Sequence, residues 1–117
     1  MMDVTDIFID GTDMGRGCVR VFLNGKECRL RQASFKILLG LCVASPKWVS
    51  NLGTEETIHR YLYHLRQEIK KIGLDLMIEN GRWEGYEGEY RIITDRISIN
   101  SVALSKHPDF EVRKMVN

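Results

Sequence analysis

Arg60, Tyr63, His64, Arg66, Gln67, Lys70 and Lys71 crowd into residues 60–71. Guanidinium and ammonium groups bind phosphate oxygens, while phenol, imidazole and amide groups reach base edges and sugars, so the set carries the chemistry of a nucleic-acid contact. It can act as one site only if a single element presents it. On a helix turning about 100° per residue, with Ile58 at zero, Arg60, Tyr63, Gln67 and Lys71 lie opposite Ile58 and are flanked by His59, His64, Arg66 and Lys70. Composition alone favours an ordinary solvated helix face, because Glu55, Glu56 and Glu68 offset the four cations.

Other chemistries find less to work with. His59 and His64 stand about 140° apart on the same helix, which suits neither a shared metal nor an acid–base pair. Cys18, Cys28 and Cys42 are odd in number, form no CxxC and have no histidine at zinc-ligand spacing, so they read as thiols in a reducing, cytosolic compartment. The aspartates of the first fifteen residues lack the ligand order of a calcium loop. No spacing links a nucleophile to a base and an orienting group; Ser34, Ser45 and Ser50 read as helix and turn serines. Neither an enzyme nor a cofactor is expected. No apolar run is long enough to span a membrane, and the N-terminal residues lack the order of a signal peptide.

The elements that must position the cluster follow from periodicity. Val19, Val21 and Leu23 alternate with Arg20 and Phe22 before Asn24-Gly25, the signature of a hairpin with a type I′ turn. Phe35, Leu38, Leu39 and Cys42 then repeat at helical spacing until Pro46, with Arg31 where a capping Ser, Thr or Asp would stand. Residues 47–53 hold apolar surface for one short helix. A longer helix over 54–72 has Thr54 as cap, Glu55 and Glu56 in its first turn and Gly73 beyond its end, and its inward stripe is Ile58, Leu62, Leu65, Ile69 and Ile72. Glycines among Trp83, Tyr86, Tyr90 and Ile92 mark a second hairpin. Its aromatic rings could stack on bases, but they read first as cover for a small core. Ile97 and Ile99 have strand spacing, and Pro108 stands near a last helix start with Phe110 and Met115 beneath it.

At 117 residues and a net charge of +1, the chain suits one compact domain that buries roughly two thirds of its unfolded surface. The charge is segregated: Asp3, Asp6, Asp10 and Asp13 precede Arg16, Arg20, Lys26, Arg29, Arg31 and Lys36, which surround the single acid Glu27. Such blocks can make a local basic face on a nearly neutral protein, or simply solvated strand edges.

Strand, hairpin, helix, short helix, long helix, hairpin: over residues 4–93 this order resembles the effector domain of the OmpR/PhoB family of bacterial response regulators. The resemblance rests on Asp6-Ile7-Phe8-Ile9-Asp10 ahead of residues 19–25, on Leu30 with residues 35–39, on Leu62-Tyr63-His64-Leu65-Arg66, and on Gly88-Glu89-Tyr90-Arg91-Ile92. It implies an α+β winged helix-turn-helix with an N-terminal antiparallel sheet, three helices and a C-terminal β-hairpin wing. It also implies that the third helix enters the major groove of double-stranded DNA and that the wing touches the minor groove. The family's groove-facing positions fall on Glu56, Arg60, Tyr61, Tyr63, His64 and Arg66, with Arg82 or Arg91 as wing contacts. Glu56 replaces a basic phosphate contact, Tyr61 replaces a common histidine and Arg60 replaces an apolar residue. Glu79, Glu84, Glu87 and Glu89 make the wing acidic, which the negative potential of the minor groove disfavours.

The expected protein is therefore a single winged-helix domain, residues 1–93, followed by an extension, 94–117, that packs on it or mediates oligomerisation. The expected function is a DNA-binding transcription regulator, with a homodimer or a regulatory partner protein supplying any input. The alternative is a protein-interaction or dimerisation winged helix that uses the acidic wing and the extension.

Overall fold

Strict alternation of buried and outward side chains sets the main sheet. In β2 (Asp6–Ile9), β3 (Cys18–Leu23) and β4 (Lys26–Arg31), Ile7, Ile9, Val19, Val21, Leu23, Cys28 and Leu30 point inward and are buried, while Phe8, Arg20, Phe22 and Arg29 face the other side. The computed structural model describes the whole chain except Asn51, Gly53 and Thr54, and every other side chain except those of Glu55 and Glu56. The expected Thr54 cap and the two first-turn acids, including groove-facing Glu56, thus lie outside the described residues.

The β3–β4 turn is the one its sequence implies: Asn24 and Gly25 both have positive φ, 52° and 78°. The Asn24 side chain also ties the N-terminus down, accepting from the Thr5 and Asp6 amides at 2.8 and 3.1 Å and donating to the Asp3 carbonyl at 2.9 Å. Just beyond this tie, β1 (Met2–Asp3) pairs in parallel with β5 (Leu74–Asp75).

The inner face of the sheet is covered by α1 (Gln32–Ala44) and α2 (Glu55–Lys70). Phe35, Leu38, Leu39 and Leu41 of α1 meet Ile58, Leu62, Leu65 and Ile69 of α2 in one core, and each such side chain contributes roughly 1.5–3 kcal/mol by leaving water. The helix ends at Lys70, short of the expected residue 72, and a turn follows that closes at Gly73 (φ 79°), whose N–H bonds to the Lys70 carbonyl at 3.0 Å. No helix forms over the described residues 47–50. The Val49 backbone pairs with Tyr90 in both directions, at 2.7 and 3.0 Å, and Trp48 stacks on Tyr86 with ring centroids 5.1 Å apart. Pairing with a strand satisfies the amide that a helical turn would have used. Tyr90 belongs to a short hairpin of β6 (Glu79–Asn80) and β7 (Tyr90–Arg91), joined through a 3-10 turn at Gly81–Glu84.

The sheet is mixed. Strand β8 (Arg96–Ile99) adds to the far edge of β2 in parallel, which gives the order β4-β3-β2-β8. Two short helices follow, α3 (Ser101–Leu104) and α4 (Phe110–Val116), so four α-helices occur among the described residues of this compact α+β fold. Leu104 and Val112 are fully buried, and Leu104 packs so closely on Gly11 that a Cβ there would sit 2.5 Å from its Cδ2. His107 lies over Phe35 with centroids 6.2 Å apart, and Lys36 pairs with Asp109 and Glu111 at 3.2 and 3.0 Å. Val102 and Phe110, by contrast, point outward. Among the described residues no helix is long and apolar enough to cross a membrane.

Two carboxylates link this packing to pH. Asp109 caps α4, and the Glu111 amide, then Lys36 and Gln32, hold its pKa below the ordinary 3.8; Asp10 is lowered by Thr12 and by Arg20, which it meets at 2.9 Å. A depressed folded-state pKa gives stability that is present above the unfolded value and lost as pH falls through the folded one. Wild type should therefore lose stability from about pH 4 downward. The Asp10→Asn/Asp109→Asn variant, less stable at pH 7, should lose less over that range, as urea unfolding at pH 2.5, 4 and 7 would show; equal losses would assign the acid sensitivity elsewhere.

Candidate nucleic-acid interface

Burial of Leu62, Leu65 and Ile69 fixes the rotation of α2 and so decides what its far side shows. His59, Tyr63, Arg66, Gln67 and Lys70, spread over about 100° of the helix circumference, face the β6–β7 hairpin. With Leu62, Asn80 and Tyr90 they line a groove of about 410 Å³. Arg60, His64 and Lys71 are also exposed but lie on the next sector, outside this groove. Tyr63 is 59% exposed and meets the His64 ring edge-on at 5.7 Å, and Arg60 lies over Tyr61 at 5.7 Å. Arg66 is half-buried and donates to the Ile78 carbonyl at 3.4 Å, so it also fastens α2 to the segment leading into the hairpin.

Glu68 changes the charge of this helix more than its sequence indicates. It is the sole acid of residues 57–71. Its carboxylate turns toward α1, where it accepts from the Arg31 amide at 3.2 Å and from the Ser34 hydroxyl at 3.4 Å. It thereby supplies the N-terminal cap that Arg31 does not, and it leaves the outer sector of 57–71 with cations and neutral groups. Glu68→Ala should cost about 1 kcal/mol by loss of that cap. A shift of the urea midpoint measures it, and no shift would mean that the contacts contribute nothing.

Arg20 and Arg29 of the first hairpin do not extend this face, whereas Lys26 donates to the Ile72 carbonyl at 3.3 Å, beyond the end of α2. Arg20 binds Asp10 at 2.9 Å and Glu27 at 3.5 Å, and Arg29 donates to the Met14 carbonyl at 3.1 Å, all on the side of the sheet turned away from α2. Around the second hairpin, Arg91 stacks on Trp48 at 4.1 Å and pairs with Glu79 at 2.6 Å and Glu84 at 3.9 Å. Arg91 is thus occupied within the fold, and two of the four wing acids stand beside a cation. Arg82 is exposed, over the Trp83 ring at 5.2 Å.

His59 and Asn80 belong to the groove, although attention to the most cationic positions overlooks them. Helical geometry places His59 in the same sector as Tyr63 and Lys70, whereas nothing local in the sequence brings Asn80 to α2. Burial pushes the Cys28 and Cys42 thiols up to about 11 and 12, with the Glu68 charge adding to the effect at Cys28, so neither forms a thiolate near neutral pH. Among the described residues no three His, Cys, Asp or Glu side chains are grouped to hold a metal ion. No protein-family model matches the chain, and no curated protein or solved structure matches it.

Proposed function

We propose that this chain is a winged-helix regulator domain that binds double-stranded DNA through α2. The observation that carries the reading is the outer sector of α2: Arg60, Arg66, Lys70 and Lys71, interleaved with Tyr63, His64 and Gln67, with the nearby acid Glu68 drawn off to cap α1. An α-helix fits the major groove, where Arg and Lys reach phosphates while Tyr63, His64 and Gln67 reach base edges or sugars. Supporting it is the order of α1, an isolated β-bridge at Val49, α2, and a hairpin whose Tyr90 pairs with Val49. That arrangement sets a hairpin beside an exposed helix, as a wing stands beside a recognition helix. Arg82 is the wing cation left free to reach DNA; Arg91 braces the wing instead.

The rival reading, a protein partner held by the acidic wing and the C-terminal residues, has less surface to use. Glu79 and Glu84 are paired with Arg91, and Leu104 and Val112 serve the chain's own core. Val102 and Phe110, 71% and 66% exposed, are the features that favour it.

Fluorescence anisotropy of a labelled random duplex at about 50 mM salt tests the proposal. Wild type should bind, and a variant with Arg60, Lys70 and Lys71 replaced by Ala should bind far more weakly, while keeping its circular dichroism spectrum. A wild-type protein that leaves the anisotropy unchanged would overturn the proposal and favour the partner-protein reading.

A further inference from the structure

The aromatic residues of the second hairpin divide into two roles. Tyr90 is buried and Tyr86 stacks on Trp48, so both serve as cover. Trp83 does not: it is 88% exposed, and among its surroundings the contact of note is the Arg82 guanidinium 5.2 Å from its ring. Large apolar side chains tolerate such exposure in a monomer singly, but this one stands on a firmly built turn. The Asn80 side chain accepts from the Arg82 amide at 2.9 Å, and the Gly81 carbonyl and amide bond to Tyr86 and Glu89, each at 2.9 Å. A Cβ at Gly81 would come within 2.5 Å of Tyr86 Cβ and 3.1 Å of the Trp48 ring, so the turn is pressed against the Arg91–Trp48–Tyr86 stack. The same turn starts beside Asn80, which lines the groove along α2.

We infer that Arg82 and Trp83 form a nucleobase-stacking contact at the edge of the duplex held by α2. The inference rests on the DNA-binding reading above and deepens it. An indole offers a wide, flat apolar face, every base has a matching π-face, and a guanidinium beside the ring adds a charge for the adjoining phosphate. Arg91 meanwhile offsets Glu79 and Glu84. The base can come from an intact step that the indole partly unstacks, as apolar wedges do, or from an unpaired nucleotide.

The test runs anisotropy and tryptophan emission in one titration, on a labelled duplex and on the same duplex with a single-stranded overhang. The chain has two tryptophans, and Trp48 is enclosed between Tyr86 and Arg91, so a Trp83→Phe variant isolates the Trp48 signal. Wild-type emission should be quenched as anisotropy rises, the Trp83→Phe emission should not, and Trp83→Ala should weaken binding about 5- to 100-fold. Quenching on both probes assigns an intact step; quenching confined to the overhang assigns an unpaired base. Binding on both probes with unquenched emission and an unchanged Kd for Trp83→Ala would overturn the stacking contact and leave DNA binding by α2 standing. No anisotropy change on either probe would overturn the DNA-binding reading and this inference with it. Since Trp83 is exposed, its replacement should leave the unfolding transition in place, which circular dichroism of each variant verifies.

Discussion

A chain ending at residue 93 should fail to show the cooperative unfolding transition expected of the full protein. Residues 94–117 supply a strand and two anchors of the common core. Without β8, the inner strand β2 becomes an open edge with unpaired amides and carbonyls, a site for association between chains. Without Leu104 and Val112, each worth roughly 1.5–3 kcal/mol of burial, part of the core that includes Phe35 opens to water. Losses of this size are a large share of the roughly 5–15 kcal/mol that holds a domain together. A milder variant isolates the packing: Leu104→Ala should cost about 2–5 kcal/mol, because Gly11 already touches the leucine and cannot close over the gap. Urea unfolding of both, followed by circular dichroism, gives the answer. If residues 1–93 unfold cooperatively at the full chain's midpoint, the C-terminal residues are an appendage and the boundary expected from the family resemblance is the true one.

Local patterns were readable where one physical cause dominates. Asn24-Gly25 needs positive φ at both residues and has it; the stripe of Ile58, Leu62, Leu65 and Ile69 can only face a core, and it does. The uncapped start of α1 was also visible in Arg31. What replaces the cap was not, because Glu68 lies 37 residues away and only the packing of α2 on α1 brings them together. Residues 47–50 misled for a related reason. Their apolar content suits a helical turn, yet Val49 is claimed by Tyr90, a pairing no local propensity reports. The parallel addition of β8 was equally out of reach, since Ile97 and Ile99 announce a strand but not its partner.

At the site the same division holds. Helical angles located the outward sector of α2, but only the structure separates the groove set of Tyr63, Arg66, Gln67 and Lys70 from Arg60, His64 and Lys71 beside it. Counting charges made the wing uniformly acidic. Side-chain pairing alters that sum, because Arg91 is spent on Glu79, Glu84 and Trp48, while Trp83, one ring among several in the sequence, is far more exposed than Tyr86 or Tyr90.

Affinity for a random duplex should fall about 500-fold between 50 and 200 mM salt in wild type and only about 12-fold in the Arg60→Ala/Lys70→Ala/Lys71→Ala variant. Each phosphate neutralised releases condensed counterions, so log K falls against log salt with a slope of about −0.9 per contact. Arg60, Arg66, Lys70 and Lys71 of α2 and Arg82 of the wing make five such contacts in the proposed complex, which gives a slope of about −4.5; removing three leaves Arg66 and Arg82 and about −1.8. Arg66 is kept because its hydrogen bond to the Ile78 carbonyl ties it to the fold, and replacing it would mix a stability change into the binding change. Arg60, Lys70 and Lys71 are exposed, so their loss should leave the urea midpoint within about 0.5 kcal/mol of wild type. A steep slope that survives the triple substitution would move the phosphate contacts off α2, to the far side of the sheet. A shallow slope in both proteins, with binding intact, would mean that duplex recognition proceeds without backbone charge, which the cationic face of α2 gives no reason to expect.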